Sequence, residues 1–261
     1  MGQIVEVFRE LKSKGKKAFI IYLTFGFPTI KFTEKIILSL QNTSVDIIEI
    51  GVPFSDPLAD GPILQEAAQI ALKRGANTDI LFKNIKSIKS KIKTPLVIMT
   101  YYNPVFCYGV DRFLRMACES GISGIMVVDL PIEEAAGFTH KCRELDLDTV
   151  FFITPQTTKE RAKKIVKASR GFVYYISVTG ITGPRDLSFK PIRKDINYIK
   201  RLKDIPVCVG FGIHNKHQVI NLLKVSDGFI VGSAFARFIK NNYKKRDFSK
   251  RIRSFVRGIY V

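Results

Sequence analysis

Apolar residues along this chain follow two spacings that take turns. Short runs rich in β-branched and aromatic side chains recur at 18–25, 45–50, 95–101, 124–130, 149–153, 172–177, 207–210 and 228–231. Several are apolar at consecutive positions, the pattern of parallel strands covered on both faces. Between them the apolar residues return every three to four positions, predicting helices over 30–41, 62–74 and 79–92, 110–120, 132–145, 158–169, 195–203, 215–224 and 234–259. Eight strand-then-helix units with no linker between them predict one (β/α)8 TIM barrel domain over 1–261. An open doubly wound sheet is the alternative. An extra N-terminal helix, with Ile4, Val7, Phe8 and Leu11 on one face, is placed to plug the bottom of the barrel. That acid-bearing amphipathic start is not expected to be a signal peptide, and no apolar run is long enough to predict a transmembrane helix.

A barrel keeps its chemistry at the C-terminal ends of its strands and in the loops that follow. Glu49 stands one residue before the end of the second apolar run, flanked by Ile47, Ile48 and Ile50. Such surroundings desolvate a carboxylate, raise its pKa and fit it to act as both acid and base. The bland alternative is a strand-end acid exposed at the rim or paired across the barrel. The loop that follows, GVPFSDPLADGP at 51–62, is stiffened by three prolines and presents Asp56 and Asp60. Gly210 with Gly212, and Gly232 with Ser233, place two glycine turns in adjacent units, where barrels commonly bind phosphate. The stretch TGITGPRDLSFKPIRK at 179–194 is too long for a simple connector and reads as a lid or an irregular loop. Tyr174, in the strand before it, is either a core tyrosine or one that reaches the barrel mouth.

Absences narrow the reaction class. No lysine falls in any of the eight predicted strands, which argues against a Schiff base at the barrel centre. His140, His214 and His217 and the four cysteines show no metal-ligand spacing, and no GxGxxG follows the first strand. What remains is proton transfer on a phosphorylated small molecule, run by carboxylates.

Charge adds one complication. Against 23 acidic residues stand 42 lysines and arginines, a formal net charge of +19. A field of that sign attracts polyanions. However, Lys83, Lys86, Lys89, Lys91 and Lys93 interleave with Phe82, Ile85, Ile88 and Ile92, as on the solvated face of an amphipathic helix. The basic C-terminal stretch has the same pattern, and no nucleic-acid-binding motif surrounds either cluster. Specific nucleic-acid binding is therefore not expected. The cysteines fit a reducing compartment, the cytoplasm or a plastid stroma.

The sequence also resembles the tryptophan synthase alpha subunit family. GVPFSDPLADGP is that family's signature, and the likeness continues through MTYYNPVF at 99–106, DLPIEE at 129–134, YYISVTGITG at 174–183, GFGI at 210–213 and GSA at 232–234. The resemblance implies cleavage of indole-3-glycerol phosphate to indole and glyceraldehyde 3-phosphate, with no cofactor in this chain. It implies Glu49 as general acid/base, Asp60 as partner of the indole N–H, and Tyr174 as a positioning group. Tyr22, Met99 and Phe211 would line the indole slot; Gly183, Phe211, Gly212, Gly232 and Ser233 would hold the phosphate. Thr182 would hold Asp60 on lid closure. Pro53, Asp56, Asn103, Phe106 and Pro131 match positions that face a pyridoxal-phosphate-dependent beta subunit in an α2β2 complex or carry its signal. An idle activator subunit, a polyanion-binding barrel, an isomerase barrel and a stand-alone lyase are the competing readings. Intact Glu49 and Asp60 speak against the idle subunit, and the same pair with an apolar indole slot against the isomerase. The helix-face pattern of the basic clusters speaks against the polyanion barrel, and the matched interface positions against the stand-alone lyase.

Overall fold

Seven consecutive buried residues, Ala18–Thr24, form the central strand β1. It pairs in parallel with β2 (Ile47–Gly51) on one side and β9 (Gly228–Val231) on the other. The computed structural model describes residues 2–176, 189–210 and 216–259. Between β2 and β9 lie β3 (Leu96–Thr100), β4 (Gly124–Val127), β5 (Asp148–Thr149), β6 (Phe151–Ile153), β7 (Val173–Ile176) and β8 (Val207–Gly210). The sheet order is β5-β4-β3-β2-β1-β9-β8-β7-β6. Val150 alone separates β5 from β6, and its N–H donates to the Ile125 carbonyl at 3.2 Å. The two pieces are one barrel stave, so the ring has eight staves and the fold is the expected TIM barrel.

Strand side chains alternate between two apolar groups. Outward residues such as Phe19, Ile21, Ile48 and Val209 pack under the surrounding helices. Inward residues such as Ile20, Ile47, Val97, Met126, Phe172 and Ile230 fill the barrel. Helix α1 (Gln3–Ser13) adds Ile4, Phe8 and Leu11 to the inner group, so it plugs the bottom as its spacing predicts. The remaining helices are α2 (Ile30–Leu40), α3 (Pro62–Lys73), α4 (Thr78–Ile88), α5 (Tyr102–Tyr108), α6 (Val110–Ser120), α7 (Ala136–Glu144), α8 (Lys159–Ala168), α9 (Phe189–Leu202), α10 (Lys216–Leu223), α11 (Ser233–Asn242) and α12 (Phe248–Ile259).

Several elements differ from the sequence expectation. The fourth strand stops at Val127 rather than Leu130, because Asp129 turns back and its carboxylate accepts the Tyr102 N–H at 2.6 Å. That bond starts α5, a helix the periodicity does not announce. Helix α9 begins at Phe189 instead of 195, with Pro191 in its first turn, where a missing N–H costs nothing. The predicted helix 234–259 is two helices. Ile239 and Phe248 both face the core, yet nine residues are two and a half helical turns, so one continuous helix would point one of them at solvent. The lysines at 83, 86, 89, 91 and 93 are all exposed, as a solvated face requires. Among the described residues, no helix is long and apolar enough to cross a membrane.

Candidate active site

Inward-facing residues change character near the strand C-termini. Below, the barrel is filled with apolar side chains; above, Tyr22, Glu49, Met99, Phe152 and Tyr174 form its upper layer. Tyr22 and Glu49 are register partners across β1 and β2, while Met99 lies beside Gly51 and Met126. Phe152 and Tyr174 are register partners with ring centroids 5.0 Å apart. Two glycines make room for the phenols. A Cβ on Gly51 would overlap the Tyr22 hydroxyl, and a Cβ on Gly210 would overlap that of Tyr174. Gly51→Ala is therefore expected to cost about 1–3 kcal/mol through overpacking. Urea denaturation measures it, and an unchanged midpoint would show that Tyr22 can swing aside freely.

Glu49 is 0% exposed, and neither carboxylate oxygen has a hydrogen-bond partner. Burial alone pushes its pKa from 4.5 up to about 8. A charged carboxylate without a partner is costly in such a place, so the resting form at neutral pH is the acid. The expectation of a desolvated Glu49 holds, and the rim-exposed and salt-bridged alternatives do not.

Asp60 stands in the loop that leads from β2 to α3. Its Oδ2 accepts the Tyr101 hydroxyl at 3.2 Å, and the same hydroxyl accepts the Ala59 N–H at 3.0 Å. The Tyr101 ring lies 5.3 Å from that of Phe54, and Gln65 donates to the Asp60 carbonyl at 2.9 Å. Burial raises Asp60 to about 6, with the Tyr101 hydroxyl pulling the other way. Both carboxylates act on both inner phenols: Tyr22 and Tyr174 are pushed well above the usual tyrosine range, first by burial and then by Glu49 and Asp60. Glu49, Asp60, Tyr22 and Tyr174 thus share one electrostatic neighbourhood. Tyr101 is the residue that sequence reasoning missed. Its signal was its place at the end of the third strand, one position before a second tyrosine.

Gly232 precedes α11, and no side chain caps that helix, so its first N–H groups are bare donors at the positive end of the helix dipole. A Cβ on Gly232 would lie 3.6 Å from the Tyr22 side chain, which brings this helix start to the edge of the same cavity. Ser233 is exposed. Thr182, Gly183, Phe211 and Gly212, with most of the predicted lid loop, lie outside the described residues. Around the mouth, Leu58 is 92% exposed and Phe106 is 65% exposed. Asp56, Asn103 and Pro131 are exposed beside them. Pro53 departs from this group: it is buried at the root of the loop, where its ring stiffens the chain instead of meeting solvent. Among the described residues, no three His, Cys, Asp or Glu side chains cluster in a way that could hold a metal ion.

A family model described as tryptophan synthase alpha chain matches residues 8–258. The chain belongs to the tryptophan synthase alpha chain family. Relatives with that name include one from Petrotoga mobilis, 40% identical over 262 residues and covering all of both chains. Another, from Methanocaldococcus jannaschii, is 41% identical over 241 residues, covering 92% of this chain and 85% of the relative. Among solved structures, Mycobacterium tuberculosis tryptophan synthase superposes with a TM-score of 0.89 at 32% identity, covering 100% of this chain and 99% of that one. The Legionella pneumophila tryptophan synthase subunit alpha gives a TM-score of 0.88 at 30% identity, covering 99% and 98%. The family is a lyase family, and its reaction is the cleavage of indole-3-glycerol phosphate in tryptophan biosynthesis.

Proposed function

We propose that this chain cleaves indole-3-glycerol phosphate with Glu49 as the proton donor and acceptor and Asp60 as the anchor of the indole ring. The observation that carries the reading is Glu49 itself, a fully buried carboxyl with no partner at the mouth of a closed barrel. Held as the acid, it donates its proton to C3 of the indole. Positive charge then develops on the ring nitrogen, and the Asp60 carboxylate stabilises it through the N–H. The Glu49 carboxylate next takes the proton of the glycerol hydroxyl next to the ring. The carbon–carbon bond breaks, its electron pair returns to the ring, and indole leaves beside glyceraldehyde 3-phosphate. Glu49 ends protonated, as it began, so the cycle consumes no external acid and calls for no cofactor in this chain.

The other residues position the substrate. Tyr22 and Met99 form apolar walls, and Tyr174 supports Glu49 from across the barrel. The bare donors around Gly232 and Ser233 face the phosphate, together with Gly183, Phe211 and Gly212 as the family resemblance assigns them, and Thr182 holds Asp60 when the lid closes.

The exposed Leu58 and Phe106, with Asp56, Asn103 and Pro131, form a partly apolar rim suited to a partner. We assign this rim to the beta subunit of an α2β2 tryptophan synthase, which would carry the pyridoxal phosphate and consume the indole. Pro53 supports the rim from beneath. The four free cysteines fit a reducing compartment, the cytoplasm or a plastid stroma. The test is indole release by the purified chain, alone and with an added beta subunit. Acceleration by the partner is expected, and Phe106→Asp is expected to weaken its binding by about tenfold or more. Equal acceleration of both proteins would remove Phe106 from the interface.

A further inference from the structure

The opposite end of the barrel from Glu49 holds a cavity of about 740 Å³ that the reaction leaves unused. It lies under α1 and among the turns that lead into β1, β7, β8 and β9. Its floor is apolar, built from Val5, Phe8, Leu11, Ile205 and Pro206, and its walls are cationic. Seven lysines and arginines line it, against two carboxylates, Asp204 and Asp227.

Pairing neutralises only part of that excess. Asp227 is shared between Lys200 at 2.7 Å and Lys17 at 3.5 Å. Lys12 meets Asp204 at 3.1 Å, but both are highly exposed, and such a pair contributes little. Arg170 turns away to Asp146 and to the buried Asp148, at 2.9 Å from the latter. Among the described residues, neither Lys16 nor Lys203 has a carboxylate within ion-pair distance. The Lys203 ammonium donates only to the Ser169 carbonyl, at 2.8 Å, and Arg143 adds a further positive charge nearby. Like charges gathered over an apolar floor are unfavourable unless an anion joins them. The volume falls in the range of small-molecule sites, which combine an apolar lining with a few charged groups.

We propose that this cavity binds an organic anion with two acidic groups on an apolar, ring-sized body, the acidic groups held by Lys16 and Lys203 and the ring lying on Phe8 and Pro206. Inorganic phosphate lacks the apolar body, and a neutral aromatic lacks the charge, so each alone binds more weakly. Such a ligand ties α1 to the turn before β8 and does not compete with a substrate at the far end of the barrel.

A naphthalene disulfonate, titrated calorimetrically into the full-length chain at low salt, is a suitable probe. Saturable binding of one molecule is expected, unaffected by excess glycerol phosphate. Lys16→Glu with Lys203→Glu is expected to weaken it by about tenfold or more, the loss of one to two charge-assisted contacts. Both side chains are solvent-exposed, and indole release at the wild-type rate would confirm that the variant is folded. Lys16→Gln with Lys203→Gln serves if charge reversal prevents folding. No saturable binding, equal affinity in the variant, or displacement by glycerol phosphate would each overturn the proposal. So would displacement by a short RNA duplex at about 0.15 M salt, which would make this face a polyanion platform.

Discussion

Glu49→Gln is expected to lower indole release by about 10²–10⁴-fold, the contribution of a positioned general acid/base. It is also expected to stabilise the fold at alkaline pH, and the sign follows from the carboxyl's burial. The folded chain holds the Glu49 proton up to about pH 8, whereas the unfolded chain releases it near 4.5. Between those values the native state binds the extra proton, so stability falls as pH rises through the window and levels off above it. A glutamine has no proton to lose and escapes that fall. Its amide is still buried, but a neutral group costs far less than an unpaired carboxylate. The gain over wild type is expected to be on the order of 5 kcal/mol well above pH 8 and to vanish near pH 4. Urea denaturation of both proteins across this range measures it. A variant that kept more than about one hundredth of the wild-type rate would take Glu49 out of the proton transfers.

Asp60→Asn carries the second large effect, an expected loss of about 10²–10³-fold, comparable to removing one preorganised electrostatic contact. The substitution keeps the side chain's shape and leaves an oxygen for the Tyr101 hydroxyl, so the loop from Phe54 to Gln65 should keep its course. What disappears is the negative charge that meets the protonated ring. The loss should fall on kcat, because the charge on the ring nitrogen develops after binding. A loss confined to KM would make Asp60 a binding contact and move the charge stabilisation elsewhere.

Much of this was legible in the sequence because a barrel writes its two faces into the strand code. Apolar runs doubly covered by packing marked all eight staves, and Glu49, an acid flanked by isoleucines near the end of one of them, stood out by contrast. Asp60 was legible through the stiff loop that carries it. What escaped depends on contacts between segments far apart in the chain. Tyr101 reaches back 41 positions to hold Asp60, and its place at a strand end marks it as a residue of the mouth without naming that partner. The start of α5 depends on Asp129, 27 positions beyond Tyr102. The break between α11 and α12 was present as a phase conflict between Ile239 and Phe248, but a count of apolar residues without their phase hides it.

The pH dependence of indole release decides whether Glu49 begins the reaction as the acid. The mechanism requires Asp60 charged and Glu49 protonated at the outset, and their environments separate the two, to about 6 and about 8. A bell-shaped kcat/KM profile is expected for the chain without its partner, rising through about pH 6 and falling through about pH 8. The substrate phosphate also ionises near 6. The Asp60 share of the rising limb is therefore the part that Asp60→Asn removes. A rate that stayed level, or climbed, from pH 7 to 10 would contradict the account, since it would mean that Glu49 does not begin the reaction as the acid.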